Sequence, residues 1–203
     1  GMTISFFLAV ALNNIKLKGR IIFRIIYYIP AVSSALAIGI VWKWMFNADY
    51  GVINNFFGLN IKWLTDPRIV KIALIIKGVW GGIGGTLILF LAGLQNIPND
   101  YYEVADVEGA NVFQKMIKIT LPLVTPVIFF VIITGVIGGI NAFSDNYIIV
   151  ASDAANTVVY YMWNKMKLGQ YGLVSAGSVI IGLAVFILTA IQFKVSKKWV
   201  YGN

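Results

Sequence analysis

Charge is missing from several stretches of about 20 residues in this chain, and that absence constrains the fold more than any motif. Roughly 20 apolar residues cross a bilayer as a single helix. In hydrocarbon every backbone N–H and C=O must bond internally, so such stretches fold as helices. The chain is 59% hydrophobic and 12% charged, about half the roughly 25% charge of an ordinary soluble domain. The expected fold is all-α, a polytopic transmembrane helical bundle forming one membrane domain over residues 1–203.

About five spans are legible: Thr3–Leu12, Tyr28–Phe46, Ile69–Leu94, Leu121–Ile140 and Leu173–Phe193. The first holds ten residues, too few to span, so the chain is read as starting inside a helix with an earlier N-terminal helix missing. Basic residues set the orientation. Lys16, Lys18, Arg20 and Arg24 follow the first segment, and Lys194, Lys197 and Lys198 follow the last. Both clusters are expected in the cytoplasm. Counting segments places the polar island at 99–119 there too, and the 47–68 and 146–172 connections outside.

The net charge is +8. Because the basic residues flank apolar spans, lipid explains them better than nucleic acid does. The chain has no cysteine and no histidine. Disulfides, Ser-His-Asp catalysis and histidine metal sites are therefore excluded. There is no G-x4-GK[ST] loop to cradle phosphates. Gly81-Gly-Ile-Gly-Gly-Thr86 lacks the lysine and lies inside an apolar span. Its small residues four apart (Gly78 and Gly82, Gly81 and Gly85) read as a close helix-packing surface. No enzyme site is expected, and no cofactor or metal.

The island between the third and fourth segments is the most distinctive stretch. Asp100, Glu103, Asp106 and Glu108 are four of the chain's eight acids. Asn99 and Asp100 follow Pro98 and are suited to cap a helix, with Glu103 in its first turn. Ala105 and Gly109, four apart, suggest a smooth surface that another chain approaches closely. Phe113 projects a ring just beyond Gly109-Ala110, and Pro122 is placed to open the next membrane helix. A plain interfacial helix is the alternative. Anionic lipid would repel this concentration of acids, so a protein partner fits better.

The pattern Glu103-x-Ala105, three residues, Gly109-Ala110, about ten residues, Leu121-Pro122 resembles the cytoplasmic coupling signature of the membrane subunits of bacterial ABC importers. Phe90–Pro98, Tyr102, Asp106 and Ile119–Pro122 closely resemble the carbohydrate-uptake permeases of the maltose and glycerol-3-phosphate type. The likeness runs more loosely from Asn13 to the C-terminus, through Tyr28-Tyr-Ile-Pro30, Trp42–Asn47 and Tyr171-Gly172. Val104 and Glu108 depart conservatively from the alanine and aspartate usual there.

The resemblance implies a type I ABC importer permease fold in the bacterial inner membrane. It implies docking of the island on an ATPase through Glu103, Ala105, Asp106, Gly109, Ala110 and Phe113. The partners implied are two ATP-binding subunits carrying ATP and Mg, a second permease of different sequence, and an extracytoplasmic solute-binding protein. ATP-driven closure of the ATPases would rock the helices between inward- and outward-open states.

Polar groups inside spans are candidate pathway residues. Thr134, Gly138, Asn141 and Asp145 recur at four, three and four residues, which predicts one helical face able to hydrogen-bond sugar hydroxyls. Trp80, Gly82 and Gly85 are candidates on the preceding span. Alternatively, Thr134 bonds its own backbone, Asn141 bonds a neighbouring helix and Asp145 lies at the outer surface. Lys77 either snorkels or attracts an anionic cargo. The cargo is expected to be a sugar or related polyol, with glycerol 3-phosphate as another possibility. A secondary transporter or channel is a rival class, but it would call for more intramembrane ionisable groups.

Overall fold

The computed structural model describes residues 1–13, 19–149 and 153–201. Lys16 and Lys18 of the first basic cluster lie outside the described residues. The described residues form helices and no strands: α1 (Met2–Asn13), α2 (Arg20–Val32), α3 (Ala35–Met45), α4 (Val52–Phe57), α5 (Val70–Gln95), α6 (Asp100–Val107), α7 (Val112–Lys115), a π turn (Met116–Thr120), α8 (Leu121–Ile140), α9 (Ser144–Ile148), a 3-10 turn (Asp153–Ala155), α10 (Val158–Lys167) and α11 (Tyr171–Ser196).

Three of the expected segments form long, apolar helices close to where the apolar runs put them. The structure has α5 for Ile69–Leu94, α8 for Leu121–Ile140 and α11 for Leu173–Phe193. Each of the 26-residue helices α5 and α11 measures about 39 Å at 1.5 Å per residue, more than the roughly 30 Å of hydrocarbon. The expected span Tyr28–Phe46 differs. It is the bent pair α2 and α3, turning by 98° at a short break. The Ser33-Ser34 pair is that break, and Pro30 lies inside α2 two residues before its end; both weaken a helix locally. The segment is therefore no straight helix, although three stretches cross by length and composition and the bent pair would make a fourth.

Cα packing divides the chain into two compact units, Gly1–Ala31, Gly82–Gly135 and Leu188–Asn203 in one, and Val32–Gly81 and Val136–Ile187 in the other. The first is built on Phe6, Ala9, Leu12, Leu87, Phe90, Leu91, Leu94, Val124 and Val131. Phe6 meets Phe90 edge-on, with centroids 5.4 Å apart. Gly84 lets the α2 backbone close in, because a Cβ there would strike the Tyr27 carbonyl. Arg24 Nη2 donates to the Leu12 carbonyl at 3.0 Å and so satisfies an orphan acceptor at the end of α1.

In the same unit Pro126 has no N–H for the Pro122 carbonyl. Thr125 Oγ1 donates to that carbonyl at 2.6 Å instead, and accepts from the Tyr201 N–H at 2.9 Å. Pro122 does not open a helix as expected. The helical path already runs from Val112 through the π turn, where the Leu121 N–H reaches back five residues to the Met116 carbonyl. The wider turn accommodates a proline that cannot donate.

The second unit packs Trp42, Phe46, Ala73 and Ile149 with Trp63 and Leu64 around them. Buried Asn54 organises its loop. Its Nδ2 donates to the Ala48 and Ile61 carbonyls at 3.0 and 2.9 Å, and its Oδ1 accepts from Trp63 Nε1 at 2.8 Å.

Candidate docking island and pathway residues

The island folds into two short helices set by local rules. Asn99 occupies the cap position of α6 in a helical conformation and makes no side-chain cap bond, contrary to the expected Asn99/Asp100 cap. The cap that forms is one helix later. Asn111 Oδ1 accepts from the Gln114 N–H at 2.9 Å, and Gln114 Oε1 accepts from the Asn111 N–H at 2.8 Å. That reciprocal box opens α7, and its Asn-x-x-Gln spacing was readable.

Gly109 has φ +74. Its N–H bonds the Asp106 carbonyl at 3.1 Å, and the Ala110 N–H bonds the Ala105 carbonyl at 2.8 Å. This is the paired-bond ending that requires a left-handed residue after the cap. The glycine of the signature therefore has a backbone role of its own. Ala105 is 7% exposed. It is a floor beneath the reversal, and the expected smooth Ala105–Gly109 surface is not presented.

The outward face is apolar instead: Val104, Val107, Val112 and Phe113 are 59%, 90%, 81% and 71% exposed. Glu103 and Glu108 are exposed beside them. A groove of about 310 Å³ runs along Ala105, Glu108, Gly109, Ala110, Lys115 and Lys118. Two ties hold α6 to the following helix. Asp106 pairs with Lys115, and Tyr102 Oη and Thr120 Oγ1 share a hydrogen bond of 2.9 Å. The first is solvated and worth at most about 1 kcal/mol. The second involves a buried threonine and contributes on the order of 1 kcal/mol. Sequence reasoning found neither tie.

The pathway candidates do not share one helical face. Thr134 and Gly138 lie on α8, but α8 ends at Ile140, Asn141 is in the turn, and Asp145 is in the first turn of α9. The Phe143 N-cap, at φ −132, breaks the helical path between them. Thr134 Oγ1 donates to the Phe130 carbonyl at 2.8 Å, and Asn141 Nδ2 to the Ile137 carbonyl at 3.0 Å. Both therefore bond their own backbone, and Asn141 does not bond a neighbouring helix through that amide. Asn141 lines a groove of about 350 Å³ together with Met162, Ser178 and Gly182.

Asp145 pairs with Lys77, a partnership spacing could not reveal. One turn along α5, Trp80 meets Trp42 edge-on at 5.6 Å. A Cβ at Gly78, Gly81, Gly82, Gly85 or Gly138 would meet nothing within 4 Å. The expected close packing through these α5 glycines is therefore not made among the described residues. The glycines that do admit a neighbour are Gly84 and Gly93, whose Cβ would lie 2.7 Å from Val127 Cγ2. Among the described residues no cluster of acids could hold a metal.

The chain is 37% identical over 207 residues to "Probable ABC transporter permease protein YesP" of Bacillus subtilis, covering 96% of this chain and 66% of that one. It is 33% identical to the lactose transport system permease protein LacF of Rhizobium radiobacter, covering 97% and 70%. It thus spans about two thirds of the length of these curated relatives. The fold matches the crystal structure of a bacterial alginate ABC transporter in complex with an alginate pentasaccharide-bound periplasmic protein, with a TM-score of 0.87, 22% identity, and coverage of 98% of this chain and 72% of that chain. Residues 1–201 match a single family over its shared pattern, and the chain belongs to it: the binding-protein-dependent transport system inner membrane component, a multi-pass membrane permease family.

Proposed function

We propose that this chain is the membrane-spanning permease subunit of an ATP-driven importer, translocating a neutral sugar or oligosaccharide handed over by an extracytoplasmic binding protein. The observation that carries the reading is the island. It is a two-helix element between spans whose apolar face, led by Phe113, is exposed beside acids. Such a patch marks a protein interface. Its occupant is an ATP-binding subunit, two per assembly, with ATP and Mg held there and hydrolysis performed there. Glu103, Gly109, Ala110 and Phe113 are the proposed docking contacts, with Ala105 and Asp106 shaping them from within. A second, different permease completes the pathway. Trp80, Gly82, Gly85, Thr134, Gly138 and Asn141 are its proposed lining from this chain.

The Lys77–Asp145 pair favours neutral cargo over glycerol 3-phosphate. A lysine already neutralised by a carboxylate, and 12% exposed, is poorly placed to attract an anion. Relatives whose names specify lactose, arabinooligosaccharides and trehalose/maltose point the same way. The test is purification of the full-length chain from membranes in mild detergent, with mass spectrometry of its companions. Recovery of a phosphate-loop ATPase and a second membrane subunit supports the importer. A chain that emerges alone, where other membrane complexes survive, supports a channel or secondary transporter.

A further inference from the structure

We infer that Tyr102 and Thr120 are positioning residues that transmit movement of the docking helix α6 into α8, through the π turn and without touching the partner. The inference rests on the island being an ATPase-docking element. α7, the π turn and α8 follow one another without a break from Val112 to Ile140. Force applied at α7 therefore passes along a helix. α6 has no such continuity, because its path reverses at Gly109. Beyond the Gly109 reversal, Asp106 and Tyr102 tie it to the helix below through their side chains.

Those side chains are unequal. Asp106 is 66% exposed in its pair with Lys115, so water competes for both charges. Thr120 is 5% exposed, and Tyr102 packs against the apolar core with Met116. The Tyr102 hydroxyl therefore reaches Thr120 Oγ1 in a more sheltered setting than the Asp106–Lys115 pair has. Thr120 Oγ1 also lies 3.4 Å from the Lys115 carbonyl five residues back, so the hydroxyl that Tyr102 meets sits against the backbone of the same turn.

This places the relay on the π turn itself. A π turn is a locally strained register, common at functional sites. A bond made to its last residue ties α6 to the point where the helix departs from regular α winding. When the partner shifts α6, the tyrosine pulls at Thr120, and α8 moves with it.

The chain has no cysteine, which gives a readout that does not require a known cargo. Gly139 on α8 has open space beside its Cβ, so Gly139→Cys serves as a maleimide reporter on this chain's gel band. The assembled complex is labelled without nucleotide and with ATP and vanadate. With Tyr102 and Thr120 intact, labelling is expected to change by about 5-fold or more as the states shift. With Tyr102→Phe or Thr120→Val the change is expected to shrink by about 2-fold or more, the part delivered through Phe113 and α7 remaining, and the double variant is no worse than either single one, as expected for one shared bond. Thr120→Ser, which keeps the hydroxyl, restores it. ATPase recovery and hydrolysis per complex stay at the unaltered level in every variant.

An undiminished labelling change in Tyr102→Phe and Thr120→Val overturns the inference. So does loss of the ATPase from those variants alone, which would make the pair part of the docking surface. Absence of ATPase from the unaltered complex is a different failure, that of the island reading itself, and it takes this inference with it.

Discussion

The connector after α5 and the connector after α8 end their short helices alike and use their rings differently. α6 is closed by Gly109 at φ +74 and α10 by Gly169 at φ +73. In each the next N–H reaches back to the third-last helical carbonyl, Ala110 to Ala105 at 2.8 Å and Gln170 to Lys165 at 3.1 Å. The α10 connector then spends its rings on itself. Phe143 stacks on Tyr147 at 5.5 Å and meets Trp163 edge-on at 5.7 Å, while Lys167 Nζ sits 5.4 Å over Trp163. The island does the reverse, keeping its polar side chains for bracing and turning Val107, Val112 and Phe113 outward. The same backbone device thus serves two connectors that use their rings differently. The α10 connector pairs Phe143, Tyr147 and Trp163 with one another, while Tyr147 and Leu168 stay 54% and 70% exposed. The island leaves Val107, Val112 and Phe113 unpaired on an outward apolar face that a protein partner would cover.

The sharpest way to break that contrast is to disturb both glycines. A β-branched residue at positive φ costs about 1–2 kcal/mol or more. Gly109→Val is therefore expected to strip the ATPase from the purified complex while the chain still inserts in the membrane. Gly169→Val carries the same local strain and should leave ATPase recovery unchanged. Gly109→Asn, which tolerates the left-handed region, should retain the partner. Gly109→Asp adds a charge beside Glu108 and should lose it. Quantitative co-purification reads all four variants, and equal loss from both valine variants would dissolve the comparison.

Truncating one ring on each side is the next largest test. Phe113 is 71% exposed, so Phe113→Ala should leave the chain's own stability within about 0.5 kcal/mol. A central aromatic anchor is worth about 2 kcal/mol in an interface, so ATPase affinity should fall roughly 30-fold. Phe143→Ala should do the opposite, lowering the thermal midpoint in detergent with ATPase affinity intact. Titration of the ATPase and a thermal scan separate the two.

Much of this was legible before any coordinates, and the losses have physical causes. Uninterrupted apolar runs placed α5, α8 and α11 because a membrane span is decided by composition over a long window. The bent pair α2 and α3 was missed because Pro30 and Ser33-Ser34 sit in an apolar run that hydropathy reads as continuous. The island's position followed from its acids, and its glycine from the signature. Its geometry did not. Whether Ala105 faces inward depends on the reversal at Gly109, and the Tyr102–Thr120 bond joins residues 18 apart across that reversal. The pathway face failed because helical spacing was carried past Ile140, where the helix stops. The Lys77–Asp145 pair joins positions 68 residues apart, beyond any local pattern.

That pair sharpens the contrast from the connector's side, because it fastens α9 to α5. Lys77 is 12% exposed and Asp145 30%, so removing one partner leaves the other charge poorly solvated. Lys77→Met is expected to destabilise the chain by about 1–3 kcal/mol, below the range for a fully buried pair because Asp145 retains some water. Lys77→Met with Asp145→Leu should recover most of that loss, because no lone charge remains. Thermal midpoints of Lys77→Met, Asp145→Leu and the double variant in one detergent decide it. A double variant as unstable as the sum of its parts would mean the two side chains act independently.

The smallest effect belongs to the island's own ion pair, and its smallness is the point. Asp106 was placed among the docking contacts on sequence grounds, yet the structure commits its carboxylate to Lys115 on the same chain. At 66% exposure the pair is a solvated one, and Asp106→Asn should cost stability no more than about 0.5 kcal/mol. If Asp106 only braces, ATPase affinity should fall about 2-fold or less, and the exchange Asp106→Lys with Lys115→Asp should restore it. If Asp106 instead meets a basic group of the ATPase, the exchange places a like charge against that group, and affinity should drop by about 10-fold or more. Raising salt reinforces the distinction, since an exposed intrachain pair weakens with little consequence while a docking contact loses its steering charge. The bracing outcome would leave Glu103 as the island's docking acid and make its apolar face, led by Phe113, the main source of affinity.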